Sequence, residues 1–170
     1  FGFSATPFPT GKQKAVDRAI IKRYLGDIIY EASVDDVVSV GRIIKPKIKF
    51  LKIDARLPKQ YKKWLQIEQY GIVENEIRNN RIKEVAQEFK HVLILVRKIE
   101  HGSILETIIP NAVFLSGQTD IESRRQVVGD FEAGKDIVLI ASTVFDQGIS
   151  IDIIRVLINA GGGKSNQRVI

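Results

Sequence analysis

Residues 158–170, INAGGGKSNQRVI, set three glycines before Lys164-Ser165, residue types that can surround a phosphate. A phosphate-binding loop reads G-x-x-x-x-G-K-[ST], so that successive backbone N–H groups and a lysine ammonium converge on the anion. Counting back five residues from Gly163 gives Ile158, inside an apolar run, where the first glycine is required. The loop is then too short to wrap a diphosphate. Five residues follow Ser165, too few for the helix whose N-terminus would face the anion. A Walker-type site also needs a later strand ending in an Asp that holds Mg²⁺. The glycine run therefore reads as a turn after a last strand.

Other residues have better-placed chemistry. Arg97 and Lys98 follow the apolar run HVLILV, Gly117, Gln118 and Thr119 follow AVFLS, and Ser142 with Thr143 follow DIVLIA. At the carboxyl ends of parallel strands, free N–H groups and hydroxyls can meet a ligand. A strip of such donors with two cations suits a sugar-phosphate track. The plainer reading of Ser142 and Thr143 is a cap on the next helical turn. Arg124 either reaches a phosphate or fixes its loop by pairing with Glu122 or Asp120. His101 is expected to order its own turn through a backbone hydrogen bond. Lys59, Lys62 and Lys63 with Tyr61 and Trp64 could stack on bases. At helical spacing they read better as a solvated face with an aromatic anchored in the core. There is no nucleophile–base pair, carboxylate dyad or metal-ligand spacing. With no Cys, His91 and His101 cannot make a zinc cluster alone. Catalysis by this chain alone is not expected.

The elements that must hold these residues alternate. HVLILV (91–96) and DIVLIAS (136–142) are continuous apolar runs, the pattern of strands buried on both faces. AVFLS (112–116) and IIRVLINA (153–160) add two more strands. Residues 100–109 have helical spacing. Residues 119–134 start with helix-capping acceptors, carry apolar side chains at 121, 127, 128 and 131, and stop at a glycine. Strands alternating with helices of this length imply right-handed crossovers and a parallel sheet. The first half is less regular. Residues 14–26 read as a helix, 27–32 as a strand, 33–41 as a short capped helix and 47–54 as a half-exposed strand. After Pro58, two polar-faced helices joined at Gly71 are expected.

The 170 residues, 44% of them hydrophobic, suit one domain with an N-terminal appendage. The net charge of +6 and a pI near 9.5 mildly favour a polyanionic partner. No apolar stretch approaches the roughly 18 residues of a membrane span, and the first residues lack a signal peptide's features. The chain contains no Met, so it is expected to be a piece of something longer.

Four segments in order resemble superfamily 2 helicases, nucleic-acid motors built from two RecA-like domains. They are FGFSATP (1–7), HVLILVRKIEHG (91–102), FLSGQTDIESRRQVVGDFEAGK (114–135) and IASTVFDQGISID (140–152). The resemblance implies an α/β three-layer sandwich with a mainly parallel sheet, a RecA-like helicase C-terminal domain lacking its own P-loop. Residues 1–12 would be the tail of the first RecA-like domain and a linker, with Ser4, Ala5 and Thr6 coupling the two domains. Residues 13–89 would be inter-domain and accessory elements, and 90–170 the second domain, truncated before its last motif.

Nucleic acid would be contacted by Arg97, Lys98, Gly117, Gln118, Arg124, Ser142 and Thr143. The nucleotide would meet Asp146, Gly148 and Ser150, although Asp146 could instead pair with a local Arg and Gly148 could be a turn glycine. ATP and Mg²⁺ would be held mainly by the first domain, and the arginine finger would lie beyond Ile170, so Arg168 is not that residue. Most members have Asp where this chain has Ser150. Phage recombination and branch-migration helicases of the UvsW type share the Gly148-Ile149-Ser150 run, the His101-Gly102 pair and Ser116-Gly117. The implied partners are single-stranded or branched DNA, with RNA as the alternative, and the first domain. The implied compartment is bacterial cytoplasm or a phage-infected cell. A restriction-type nuclease-translocase and a non-enzymatic nucleic-acid-binding domain are the rival readings.

Overall fold

The computed structural model describes residues 14–41, 45–54, 63–142 and 151–161. Two compact units divide the chain, residues 1–50 and 51–170.

In the first unit, α1 (Lys14–Leu25) ends at Gly26, whose φ of +85° is open to glycine without strain. α2 (Val34–Ser39) opens on a reciprocal cap. The Ser33 hydroxyl accepts from the Asp36 amide at 3.1 Å, and the Asp36 carboxylate accepts from the Ser33 amide at 2.9 Å. The Ser33 hydroxyl and then its amide hold the Asp36 carboxyl below the usual carboxylate range. The strands expected at 27–32 and 47–54 do not form. Apolar alternation selects a face, but a strand also needs a neighbour for its backbone ladder. Ile29, Tyr30 and Phe50 instead stand exposed.

The first described helix of the second unit is α3 (Trp64–Glu68), which runs into a π-helical turn (Gln69–Val73) and then α4 (Glu76–Gln87). Gly71, the expected joint, lies inside the π turn. The break falls at Asn75, whose extended backbone lets its side chain accept from the Arg78 amide at 3.0 Å and start α4. Lys63 is exposed, as a solvated face requires, and Trp64 is 46% exposed, so of the two aromatics expected to supply a core anchor Trp64 does not. Lys59, Tyr61 and Lys62 lie outside the described residues.

The sheet holds β1 (Val92–Leu95), β2 (Ala112–Leu115), β3 (Val138–Ala141) and β4 (Val156–Asn159) in the order β2-β3-β1-β4, every pair parallel. Each strand is shorter than the segment expected for it. α5 (Ile99–Ile108) connects β1 to β2, and α6 (Ile121–Glu132) connects β2 to β3. The first step crosses β3's position and the second comes back one place. Steps in opposite directions with right-handed crossovers put the helices on opposite faces.

The two cores follow that division. Ile82 and Ala86 of α4 with Leu105 of α5 cover Val92, Ile94 and Ile140. Phe131 of α6 covers Leu93, Leu115, Leu139 and Ala141. Burying one such Leu, Ile or Phe side chain contributes about 1.5–3 kcal/mol. Ile121 departs from its expected apolar stripe and stays exposed, one place after the Asp120 cap. Gly134, with φ of +80°, ends the segment as expected.

Two contacts fix α5 on β2. A Cβ on Gly102 would fall 2.3 Å from the Phe114 ring, so only glycine lets the helix approach this closely. The outward amide of Phe114 donates to Glu106 Oε1 at 2.8 Å.

Candidate nucleic-acid interface

Parallel pairing brings the ends of β1, β2 and β3 to one rim, because Ala141 lies in register with both Leu95 and Leu115. Backbone bonds continue the alignment past the strands. The Val96 amide donates to Ala141 O at 2.9 Å, and the Ser142 amide to Leu115 O at 3.1 Å. Beyond β4, the Ala160 and Gly161 amides both donate to Leu95 O, at 2.9 and 3.1 Å. The rim therefore gathers Arg97 and Lys98, the loop 116–119 and Ser142, as the strand pattern implied. Thr143, Asp146, Gly148 and Ser150 lie outside the described residues, as do Ser4, Ala5, Thr6 and Gly163-Lys164-Ser165.

The 116–119 loop is tied from within. The Ser116 amide donates to Thr119 Oγ1 at 3.0 Å, the Gln118 amide to Ser116 Oγ at 3.2 Å, and the Thr119 amide to Ser116 O at 3.2 Å. Arg124 Nη2 donates to Ser116 O at 3.3 Å and Thr119 O at 3.0 Å. Arg124 thus fixes the loop through main-chain carbonyls, where pairing with Glu122 or Asp120 had been the alternative to a phosphate. Its Nε is buried without a hydrogen-bond partner. Asp120 caps α6 by accepting from the Ser123 amide at 2.8 Å, and that bond holds its carboxyl below the usual range. Gly117 and Gln118 remain exposed at the loop's tip, whereas Ser142 is buried.

A second polar group stands at the end of β1. The buried Glu68 carboxylate lies 3.6 Å from Arg97 Nη1 and 3.8 Å from Lys98 Nζ. Lys98 Nζ also donates to Gln69 Oε1 at 3.0 Å. Gln69 Nε2 donates to Glu74 Oε1 at 2.8 Å and to Glu100 Oε1 at 3.0 Å. No sequence signal singles out Glu68, an acid at the end of a five-residue helix whose partners lie 29 and 30 residues away.

His101 departs from expectation. Its Nε2 lies 3.0 Å from Asn79 Oδ1, 22 residues away, rather than serving its own turn. Asn79 Nδ2 donates to Val73 O at 2.8 Å, so its oxygen must accept and the His101 Nε2 must carry the proton. Beside them Arg78 Nη2 donates to Ala160 O at 2.6 Å and Nη1 to Ile72 O at 3.4 Å. Burial lowers the Arg78 pKa, and burial followed by the Arg78 charge lowers that of His101 to about 4. The imidazole is neutral at physiological pH. Arg78, Asn79 and His101 join the π turn, α4, α5 and the end of β4 into one support behind the rim.

Among the described residues no group of three His, Asp or Glu side chains stands together to hold a metal ion. No helix there is long and apolar enough to cross a membrane.

The helicase conserved C-terminal domain family matches residues 74–170. Among solved structures, bacteriophage T4 UvsW is 25% identical with a TM-score of 0.50, over 62% of this chain and 23% of that one. The helicase domain of Hef from Pyrococcus furiosus is 15% identical with a TM-score of 0.45, over 56% of this chain and 22% of that one. Dbp5 of S. cerevisiae, bound to RNA and ADP BeF3, is 20% identical with a TM-score of 0.44, over 49% of this chain and 23% of that one. The chain thus spans less than a quarter of each of these structures. No curated protein sequence matches it.

Proposed function

The chain belongs to the helicase conserved C-terminal domain family, within the superfamily 2 helicases and translocases, and we propose that it is the second motor lobe of an ATP-dependent DNA helicase. Its parallel sheet between helices is the RecA-like fold of that family. The observation that carries the reading is the shared rim, where the ends of three strands bring Arg97, Lys98 and the exposed Gly117–Gln118 tip to one side of the sheet. A sugar-phosphate backbone is the ligand that such a strip fits. Arg97, Lys98, Gly117 and Gln118 are assigned to the track by their place at the rim, Ser142 and Thr143 by motif alone, and Arg124 keeps the middle loop in shape.

DNA, and work in recombination, repair or replication, are favoured by the Gly148-Ile149-Ser150 run shared with the UvsW type and by the likeness to T4 UvsW. Asp146, Gly148 and Ser150 are assigned to ATP by motif. ATP–Mg²⁺ would rest mainly on the first RecA-like lobe, with Ser4, Ala5 and Thr6 coupling the lobes and the arginine finger beyond Ile170. Alternating closure and opening of two such lobes converts hydrolysis into movement along a strand.

The test is fluorescence anisotropy with labelled single-stranded DNA and RNA of equal length across a salt series. Binding should weaken with salt, by a log–log slope of about 0.7 for each phosphate neutralised, and DNA should bind at least as well as RNA. Indifference to both polymers at low salt rejects the reading. The chain alone should show no ATP turnover, and sustained phosphate release by a clean preparation would refute the division of labour between lobes.

A further inference from the structure

We infer that Glu68 is an internal counter-ion that withholds Arg97 and Lys98 from the polynucleotide and so limits how tightly the rim grips a strand. The inference rests on the nucleic-acid reading of the rim and adds its regulation. Glu68 closes α3 with a side chain only 5% exposed, and each of its oxygens faces one cation, Oε1 toward Arg97 and Oε2 toward Lys98. The cations are reachable from solvent, with side chains 46% and 32% exposed. A phosphate can therefore approach the outer side of both cations while the carboxylate stays behind them.

Gln69 makes the arrangement one-directional. Its amide nitrogen serves the carboxylates of Glu74 and Glu100, so its oxygen is left to accept from Lys98. The π turn holds that geometry, with the Glu74 amide donating back to Gln69 O at 2.8 Å. Two cations against one buried carboxylate leave a reduced field at the rim. An arriving phosphate competes with a fixed anion that water screens poorly. A motor lobe that must release its strand every cycle is served by a grip with this built-in opponent. Glu68 touches neither strand nor nucleotide in this scheme, and it is a positioning residue.

The experiment compares the native chain with Glu68→Gln, titrating labelled oligo-dT across a salt series. Glu68→Gln keeps the side chain's volume and removes its charge. It should bind about three- to tenfold more tightly near 0.1 M salt, with a log–log slope steeper by about 0.7–1.4, the signature of one or two further phosphates neutralised. A merely structural role would not steepen the slope. Equal or weaker binding by a folded Glu68→Gln, while the native chain binds, overturns the inference and leaves the rim reading intact. Failure of both proteins to bind overturns the rim reading itself.

Should Glu68→Gln unfold, Lys98→Met reads the same coupling from the other partner. With Glu68 present it should lower affinity no more than about threefold, because the cation is already engaged. A loss of about tenfold or more, the size expected when a cation fully neutralises a phosphate, overturns the inference.

Discussion

Residues 92–161 and residues 14–54 are both rich in Ile, Val and aromatic side chains, yet they use them in opposite ways. Every described strand of the sheet sends side chains into a core, and Ile94, Leu139, Ile140 and Phe131 are wholly buried. In the first region no described side chain is buried, and Tyr24, Ile29, Tyr30 and Phe50 face solvent. Composition does not decide between these outcomes. A parallel sheet supplies each apolar residue with a neighbour in register and a helix above it, whereas isolated extended segments supply neither.

The contrast can be broken by mutation. Phe131→Ala should cost about 3–5 kcal/mol of unfolding free energy, read by urea denaturation, because the ring fills the core under α6. Gly102→Ala comes next, at about 1–3 kcal/mol, since its methyl group would sit inside the Phe114 ring and force α5 away from β2. Tolerance of Gly102→Ala would mean that helix and strand are not so close.

A pH effect sharpens the same comparison. His101 has a native pKa of about 4, against about 6.5 in an unfolded chain, so the unfolded state takes up the proton first. The stability contributed by the neutral ring is complete above about pH 6.5 and drains away as pH falls toward 4, with a slope no steeper than about 1.4 kcal/mol per unit. Denaturation midpoints measured between pH 7 and 5 should fall in the native chain and fall less in His101→Gln, whose amide can still donate to Asn79. Equal slopes in the two proteins would remove His101 from the account. Smallest of all, Tyr30→Ala should change stability by less than about 0.5 kcal/mol. A loss comparable to that of Phe131→Ala would erase the distinction between the regions.

The sheet was readable from sequence because local pattern and global architecture agree there. A short apolar run such as HVLILV, rich in β-branched residues, has the pattern of a strand covered on both faces, and the alternation with helices implies parallel order. The same logic overreached at 27–32 and 47–54, where period and apolarity were present but the pairing partner was not a local property. The rim was legible for a related reason, since strand ends in a parallel sheet must share a side. Its polar partners were not. Glu68 meets Arg97 and Lys98, and Asn79 meets His101, across more than twenty residues of chain. Arg124 chose carbonyls that its helical spacing could not announce. The π turn also escaped, because one extra residue in a helical turn leaves no mark on a segment as short as QYGIV.

The bond from Phe114 to Glu106 has a consequence for how copies of this chain meet. β2 is the outermost strand of the described sheet on its side, and an open margin invites a foreign strand to dock and extend the ladder. Glu106 occupies the Phe114 donor such a newcomer would use and sets a negative charge in its path. An incoming strand would have to displace that carboxylate before it could pair with Phe114, and the margin carries its own guard against self-association.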